Sequence, residues 1–176
     1  MNNPAPRKFN TDYVINHQLI ESSKAELVVT VLTDRDSDTF TNAIESICLQ
    51  RCTVNLAILL VADNCSNSWI DSHTSYFMKR SITVIRTECG SAWKARNTSI
   101  TAVAELFPKA KWIARLDDDD ILAGDFVLQT MWNKLCGNHN ALWAIAGNYQ
   151  SQHGIRLSHC NLPCEQLVNP SYLLKR

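Results

Sequence analysis

A chain of 176 residues is long enough for one well-packed domain and short for two. Hydrophobic residues make up 45% and charged residues 19%, which is a globular balance. The 17 basic and 17 acidic side chains cancel to a net charge of zero, which gives no electrostatic footing on nucleic acid or on an anionic membrane surface.

No apolar run approaches the ~20 residues that span a bilayer. The N-terminal MNNPAPRKFNTDYV lacks the apolar centre of a secretory signal. The expectation is a cytoplasmic protein, at most peripherally associated with a membrane. Its seven cysteines, an odd number, are then reduced thiols.

Residues 1–24 carry Pro4, Pro6 and many polar side chains and are expected to be a lead-in, with a short helical piece around 14–22. Residues 27–33, LVVTVLT, form a near-continuous apolar run, the pattern of a parallel strand buried on both faces. The polar stretch DRDSD follows. Phe40, Ala43, Ile44, Ile47 and Cys48 then recur at helical spacing as one apolar stripe. Residues 55–62 predict a second strand, ending in the polar DNCSN. Residues 69–80 are a weaker helix and 81–86, SITVIR, a third strand. After the loop TECGS, where Gly90 permits unusual backbone angles, residues 92–107 predict a helix. Its buried face is Ala95, Ser99, Ala102, Val103 and Leu106, and Pro108 ends it.

The next stretch, WIARLDDDDIL from 112 to 122, concentrates the chemistry. A short apolar run, predicted to be a buried strand, leads into Asp117, Asp118, Asp119 and Asp120. Four adjacent carboxylates repel one another and want a counter-charge, and their hard oxygens suit Mg²⁺, Mn²⁺ or Ca²⁺. Acidic runs are also common as solvated loops or first helical turns, with Asp125 then a plain N-cap. An EF-hand loop fits poorly: with Asp117 as position 1, Leu122 stands where the turn glycine belongs and Leu128 where the bidentate glutamate belongs. Arg115, inside this strand, is expected to pair with a neighbouring aspartate. A helix over 126–136, stopped by Gly137, and a strand over 142–147, LWAIAG, complete the series.

This order alternates strand and helix from end to end. It predicts an α/β fold with a mostly parallel central sheet and helices on both faces. The loops at the strand carboxyl ends then converge, bringing Arg35, Asp63, Asn64 and the four aspartates together. Lys94 and Arg96 open the helix after the third loop, and a helix N-terminus with two cations suits phosphate. A carboxylate-held metal beside it suggests a nucleoside-diphosphate ligand. The glycine-rich phosphate loops of the P-loop and dinucleotide-binding types are absent, as is the nucleophile elbow.

Several segments resemble, in order, the nucleotide-binding half of family 2 glycosyltransferases, which have the GT-A fold. VTVLTDRD matches the first strand and its end at Thr33, and AIESICLQ, ending at Gln50, matches the following helix. VADNCS, Val61 to Ser66, matches the end of the second strand. GSAWKARNTSI, Gly90 to Ile100, matches the A-R-N segment with one extra residue, and LDDDD matches L-D-x-D-D, the DXD motif. The resemblance covers roughly 26–147. It implies a nucleotide-sugar-binding domain over 25–149 and an inverting transfer of sugar from a nucleotide-diphosphate donor, commonly UDP-linked, to a glycan or lipid-linked acceptor. Polysaccharide biosynthesis is the habit of such enzymes. Asp119 becomes the leading ligand of a divalent metal, Mn²⁺ or Mg²⁺, with Asp117 on the ribose or on the metal. Thr33 and Asn64 would hold the base, with Arg35, Asp63, Lys94, Arg96 and Asp118 around the nucleotide sugar.

The chain departs from the family pattern in three places. Arg35 and Asp36 replace the usual aromatic and asparagine, and Asn64 replaces the second acid of D-D. The family's catalytic base lies on the acceptor side, well past the acidic motif. The expectation is a base beyond Arg176, with 150–176 the start of a shortened acceptor region. Glu165 is the only carboxylate after Asp125 and is not assigned as the base. Two other classes stay open: a non-catalytic nucleotide-sugar-binding module, and a nucleotidyltransferase, whose glycine-rich loop TDRDSDTF lacks. Cys160, Cys164, His153 and His159 form a loose zinc pattern, Cys48 and Cys52 read as packing, and Trp93 stands beside the expected site.

Overall fold

The computed structural model describes residues 14–15, 24–136, 149–150 and 156–157. The chain divides into two compact units, Met1–Gln129 and Thr130–Arg176. In the first, the elements are β1 (Val14–Ile15), β2 (Leu27–Asp34), α1 (Phe40–Cys48), β3 (Leu56–Asp63), α2 (Asn67–Lys79), β4 (Thr83–Thr87), α3 (Ala92–Leu106) and β5 (Trp112–Asp117). Helix α4 (Val127–Cys136) starts in the first unit and ends in the second. In the second unit β6 (Tyr149–Gln150) pairs antiparallel with β7 (Arg156–Leu157).

The sheet of the first unit runs β1-β4-β3-β2-β5. Strands β2 to β5 are all parallel, and β1 is antiparallel to β4. Val14 and Ile15 are therefore strand, correcting the helical lead-in expected there. Ile15 pairs with Val84, so this apolar pair extends the sheet edge. The rest of that stretch, and the expected strand at 142–147, lie outside the described residues, as do Cys160, Cys164, His153 and His159.

Helices cover both faces. The steps from β2 to β3 to β4 move outward with α1 and α2 as crossovers, and the step to β5 carries α3 back across β3 and β2. Right-handed crossovers put helices from opposite stepping directions on opposite faces. On the α3 face, Val28, Ala57, Leu59, Val61 and Ile85 pack with Ala95, Ala102, Val103 and Phe107. The register explains this grouping, because Val28 is level with Ala57 and Leu32 with Val61. Strand β2 is sandwiched between two strands and two helical layers, so its apolar run is buried nearly throughout.

On the α1 face, Phe40, Ala43, Ile44 and Ile47 are buried. Phe40 is the joint between α1 and α2. Its ring lies 5.2 Å from that of Trp69 and 5.9 Å from those of Tyr76 and Phe77, in edge or tilted geometry. Cys48 is exposed, which corrects its place in the stripe. Eight residues at about 100° each carry it some 80° round from Phe40. Cys65 is fully buried, and burial pushes its thiol up to about 11, so it stays protonated. All five described cysteines are free thiols.

Strand β5 is not the buried strand expected. It pairs only with β2 among the described residues; Leu116 is buried, but the preceding side chains alternate between half-covered and exposed. Ile113 is 41% exposed and Arg115 is exposed on the same face.

Removing the Phe40 ring leaves a cavity at the meeting point of α1 and α2. Phe40→Ala should lower the free energy of unfolding by about 3–5 kcal/mol, read from urea unfolding followed by circular dichroism. A loss below about 1 kcal/mol would place the joint elsewhere.

Candidate functional site

Neighbours of β2 on its two sides, β3 and β5, lead the chain away in opposite directions, so a crevice opens where the β2 and β5 carboxyl ends part. Asp117 is level with Leu32, and Asp34 with Asp63, so the acidic turn and the first two loops leave the sheet at nearly one height.

The loop after β2 is built by its own carboxylates. Arg35 and Asp36 have φ of 54° and 57°, conformations that cost non-glycine residues energy and persist only where neighbours hold them. Asp36 holds them here. Its carboxylate accepts from the Ser66 backbone N at 2.7 Å and from Ser66 Oγ at 2.8 Å, while Ser66 caps α2 by accepting from Trp69 N. Asp38 Oδ1 accepts from Trp69 Nε1 at 3.0 Å and lies 3.2 Å from His73 Nε2. The Arg35 backbone N donates to the Asp63 carbonyl, while its side chain is exposed, with Nε 3.1 Å from Asp34 Oδ2. Thr33 is buried and its hydroxyl donates to the Ser37 carbonyl, so its side chain is turned into the loop.

Asp63 is 3% exposed, and its oxygens are occupied within the protein. Oδ1 accepts from Thr87 Oγ1 at 2.8 Å and from Cys89 N at 2.7 Å. Oδ2 accepts from Asn64 Nδ2, which also donates to Asp34 Oδ1, both at 3.2 Å. Asp63 thus ties the β3 end to the loop after β4. Asn64, at φ 54° and exposed, is the member of this pair that reaches the surface.

Helix α3 opens with Ser91 at its N-cap position, in extended conformation and with no side-chain capping bond. The backbone amides of Lys94 and Ala95 both bond the Ser91 carbonyl. Trp93 is 62% exposed, and Lys94 Nζ lies 5.6 Å from its ring, with no ion pair to a carboxylate among the described residues. One turn on, Arg96 Nη2 donates to both Asp117 oxygens, at 3.1 and 3.2 Å. Ser91 Oγ and Arg96 Nε are buried without a hydrogen-bond partner, and they are the two such side-chain atoms among the described residues. Both are donors on the opening turns of one helix. An anion there would satisfy them.

Residues 117–120 form a turn closed by Asp120 N donating to the Asp117 carbonyl. Asp117 faces α3. Asp118 instead accepts from Thr39 Oγ1 at 3.0 Å, at the start of α1, which joins the acidic turn to the first loop. Asp119 is exposed and no described side chain pairs with it. Burial first, then the charges of Asp119, Asp117 and Asp118, push the Asp120 carboxyl up. Arg115 Nε lies 3.7 Å from Asp117 Oδ1, the pairing expected of it, at an exposed site.

Sequence reasoning missed what holds this turn. Leu122 N donates to Ser46 Oγ. Gln50 Nε2 donates to the Gly124 carbonyl at 2.6 Å, and Gln50 Oε1 accepts from Leu128 N. Arg51 pairs with Asp125, which is therefore engaged with α1's end rather than standing alone. Ser46 lies on α1 and Gln50 two residues past its end; both belong to the AIESICLQ segment, whose polar side chains four residues apart were the available signal.

Among the described residues no three His, Cys, Asp or Glu side chains converge as a metal cage. The donor set instead suits a cation held by one or two carboxylates and completed by phosphate and water oxygens, the usual manner of Mg²⁺. Crowded like charges and the unpaired Asp119 fit that demand.

No family model matches the chain, and no curated protein matches it. Among solved structures it is similar to S. aureus TarS, with TM-score 0.49 and 16% identity over 64% of this chain and 20% of that one. The S. aureus TarS 1-349 structure gives TM-score 0.49 and 16% identity over 65% of this chain and 33% of that one. The chain spans about a fifth to a third of the length of these structures. A likeness of that size transfers no residue role. No described helix is long and apolar enough to cross a membrane.

Asp63 and Asp119 should separate cleanly on substitution. Asp63→Ala orphans Thr87 Oγ1 and Cys89 N and should cost about 2 kcal/mol or more of stability, whereas Asp119→Ala should stay within about 0.5 kcal/mol of the parent. Chemical unfolding of the two variants side by side checks this, and equal costs would contradict it.

Proposed function

We propose that this chain binds a nucleoside-diphosphate sugar, a UDP-sugar first, at the carboxyl end of β2 and β5, and that it is the donor-binding part of an inverting glycosyltransferase. One observation carries the reading: the unsatisfied donors of α3 and the acidic turn of β5 meet through Arg96 and Asp117. Anion-binding and cation-binding groups side by side suit a metal-bridged diphosphate. The resemblance of VADNCS, GSAWKARNTSI and LDDDD to family 2 glycosyltransferase motifs supports the same reading.

Each residue then has a task. Asp119 and Asp117 hold the divalent cation, Mn²⁺ or Mg²⁺, which when bound neutralises charge on the departing diphosphate. The α3 N-terminus, Ser91, Lys94 and Arg96 bind the phosphate oxygens. Asn64 offers its amide oxygen to the base, while its Nδ2 donates to Asp34 and Asp63. Arg35, exposed at the rim, is free to turn toward the nucleotide. Asp118, through Thr39, keeps the two sides of the crevice in register. The acceptor is a glycan or lipid-linked sugar, and the residue that deprotonates it belongs to the acceptor side. A non-catalytic donor-binding module would use the same groups.

Calorimetric titration of UDP, with GDP and CDP beside it, in Mn²⁺ and then in EDTA, tests the reading. UDP should bind in Mn²⁺, and Asp119→Ala should reduce that binding to the level seen in EDTA. A folded sample that binds no nucleotide in Mn²⁺ overturns it.

A further inference from the structure

Two of the arginine–carboxylate contacts among the described residues, at Arg80 and Arg96, are made in different ways. Arg80 grips Glu45 with a complete fork, Nε to Oε1 at 3.0 Å and Nη2 to Oε2 at 2.6 Å. Arg96 meets Asp117 with Nη2 alone, shared between both oxygens at 3.1 and 3.2 Å, while its Nε is buried and bonded to nothing. Strong guanidinium–carboxylate pairs use two nitrogens at about 2.7–2.9 Å. The Arg96 contact is half of that, and it leaves a charged donor unsatisfied, which is itself destabilising.

We propose that Arg96 is a positioning residue that occupies Asp117 in the ligand-free protein, is displaced from it by the divalent cation, and turns to the diphosphate. The inference rests on the donor-site reading above and adds an order of events within it. Arg96 Nη2 engages both Asp117 oxygens, so a cation that takes Asp117 meets the Arg96 charge there and competes with it for the carboxylate. Arg115 Nε, at 3.7 Å, adds a second positive charge on the same carboxylate. Asp119, one residue beyond the intervening Asp118, has no described partner. The positive charge that opposes a cation is therefore concentrated at Asp117. Once displaced, the Arg96 guanidinium and the neighbouring Ser91 hydroxyl need an acceptor, and phosphate oxygens provide one.

This exchange makes cation and nucleotide bind cooperatively. Alone, the cation must compete with Arg96 for Asp117 and leave Arg96 without a partner. With nucleotide present, Arg96 has somewhere to go. Linkage requires the same factor in both directions.

The test titrates Mn²⁺ alone and then Mn²⁺ with UDP, reading free Mn²⁺ by electron paramagnetic resonance. In the wild type UDP should tighten Mn²⁺ binding by a factor in the range of about 5–150. Arg96→Gln should bind Mn²⁺ alone several-fold more tightly than the wild type, and UDP should then add little. Arg96→Lys keeps a positive charge at Asp117 and should remain weak for Mn²⁺ alone. Arg115→Gln should change Mn²⁺ affinity less than Arg96→Gln does. Thermal melts confirm that each variant is folded. Should the glutamine variant fail to fold, Arg96→Met and the wild-type coupling carry the test. Equal or weaker Mn²⁺ binding in folded Arg96→Gln or Arg96→Met, with the wild type still showing metal-dependent UDP binding, overturns the exchange alone. A wild type that binds Mn²⁺ neither with nor without UDP overturns the donor-site reading as well.

Discussion

Strand β2 is paired on both sides, with β3 and with β5, and the chain arrives at those two partners by opposite routes. Everything at the candidate site depends on that reversal. Because the crossovers to β3 and β4 step one way and the crossover to β5 steps back, α1 and α2 lie on one face and α3 on the other. The loops that diverge from β2 and β5 therefore part toward opposite faces, joined by the Thr39–Asp118 hydrogen bond rather than packed along the sheet. They leave a crevice instead, and the most polar segments of the chain line it. Burial of β2 on both faces, with Val28 and Val31 fully covered, keeps this crevice in a fixed position.

Charge is distributed across the crevice in steps. Asp63 is buried and fully satisfied, so it acts as a brace for the loop after β4. Asp36 and Asp38 are committed to α2, through Ser66 and Trp69. Asp118 is committed to Thr39. Asp117 is held by half a guanidinium fork, and Asp119 by nothing described. The carboxylates thus grade from structural to available as the chain moves from β3 toward the tip of the acidic turn. Ser46 and Gln50 hold the segment after that turn, so the available carboxylates sit on a short, clamped element rather than a free loop.

Most of the fold is legible in the sequence, because the stripe Phe40, Ala43, Ile44, Ile47 has a helical period and runs such as LVVTVLT are short and rich in β-branched residues. The departures have particular causes. In β5 the run WIARL hides a strand that alternates: Arg115, the one charged residue in it, marks the exposed face that Ile113 shares. In α2 the helical signal is weak because three apolar anchors, Trp69, Ile70 and Phe77, do the packing and polar residues fill the rest. At the site, the aspartates and Arg96 are legible as types of chemistry. Their division of labour is not, because whether a carboxylate is spent or free depends on partners 20 or more residues away, such as Thr87 for Asp63 or Thr39 for Asp118.

Amide hydrogen exchange, followed by mass spectrometry with and without UDP and Mn²⁺, would locate the ligand most directly. Peptides covering 34–39, 63–67, 88–96 and 117–120 should exchange more slowly in the presence of both. Those at the opposite end of the sheet, around Glu26, Asn55 and Lys111, should not change. Protection confined to that far end, or absent from the acidic turn at saturating ligand, would contradict a donor site between β2 and β5.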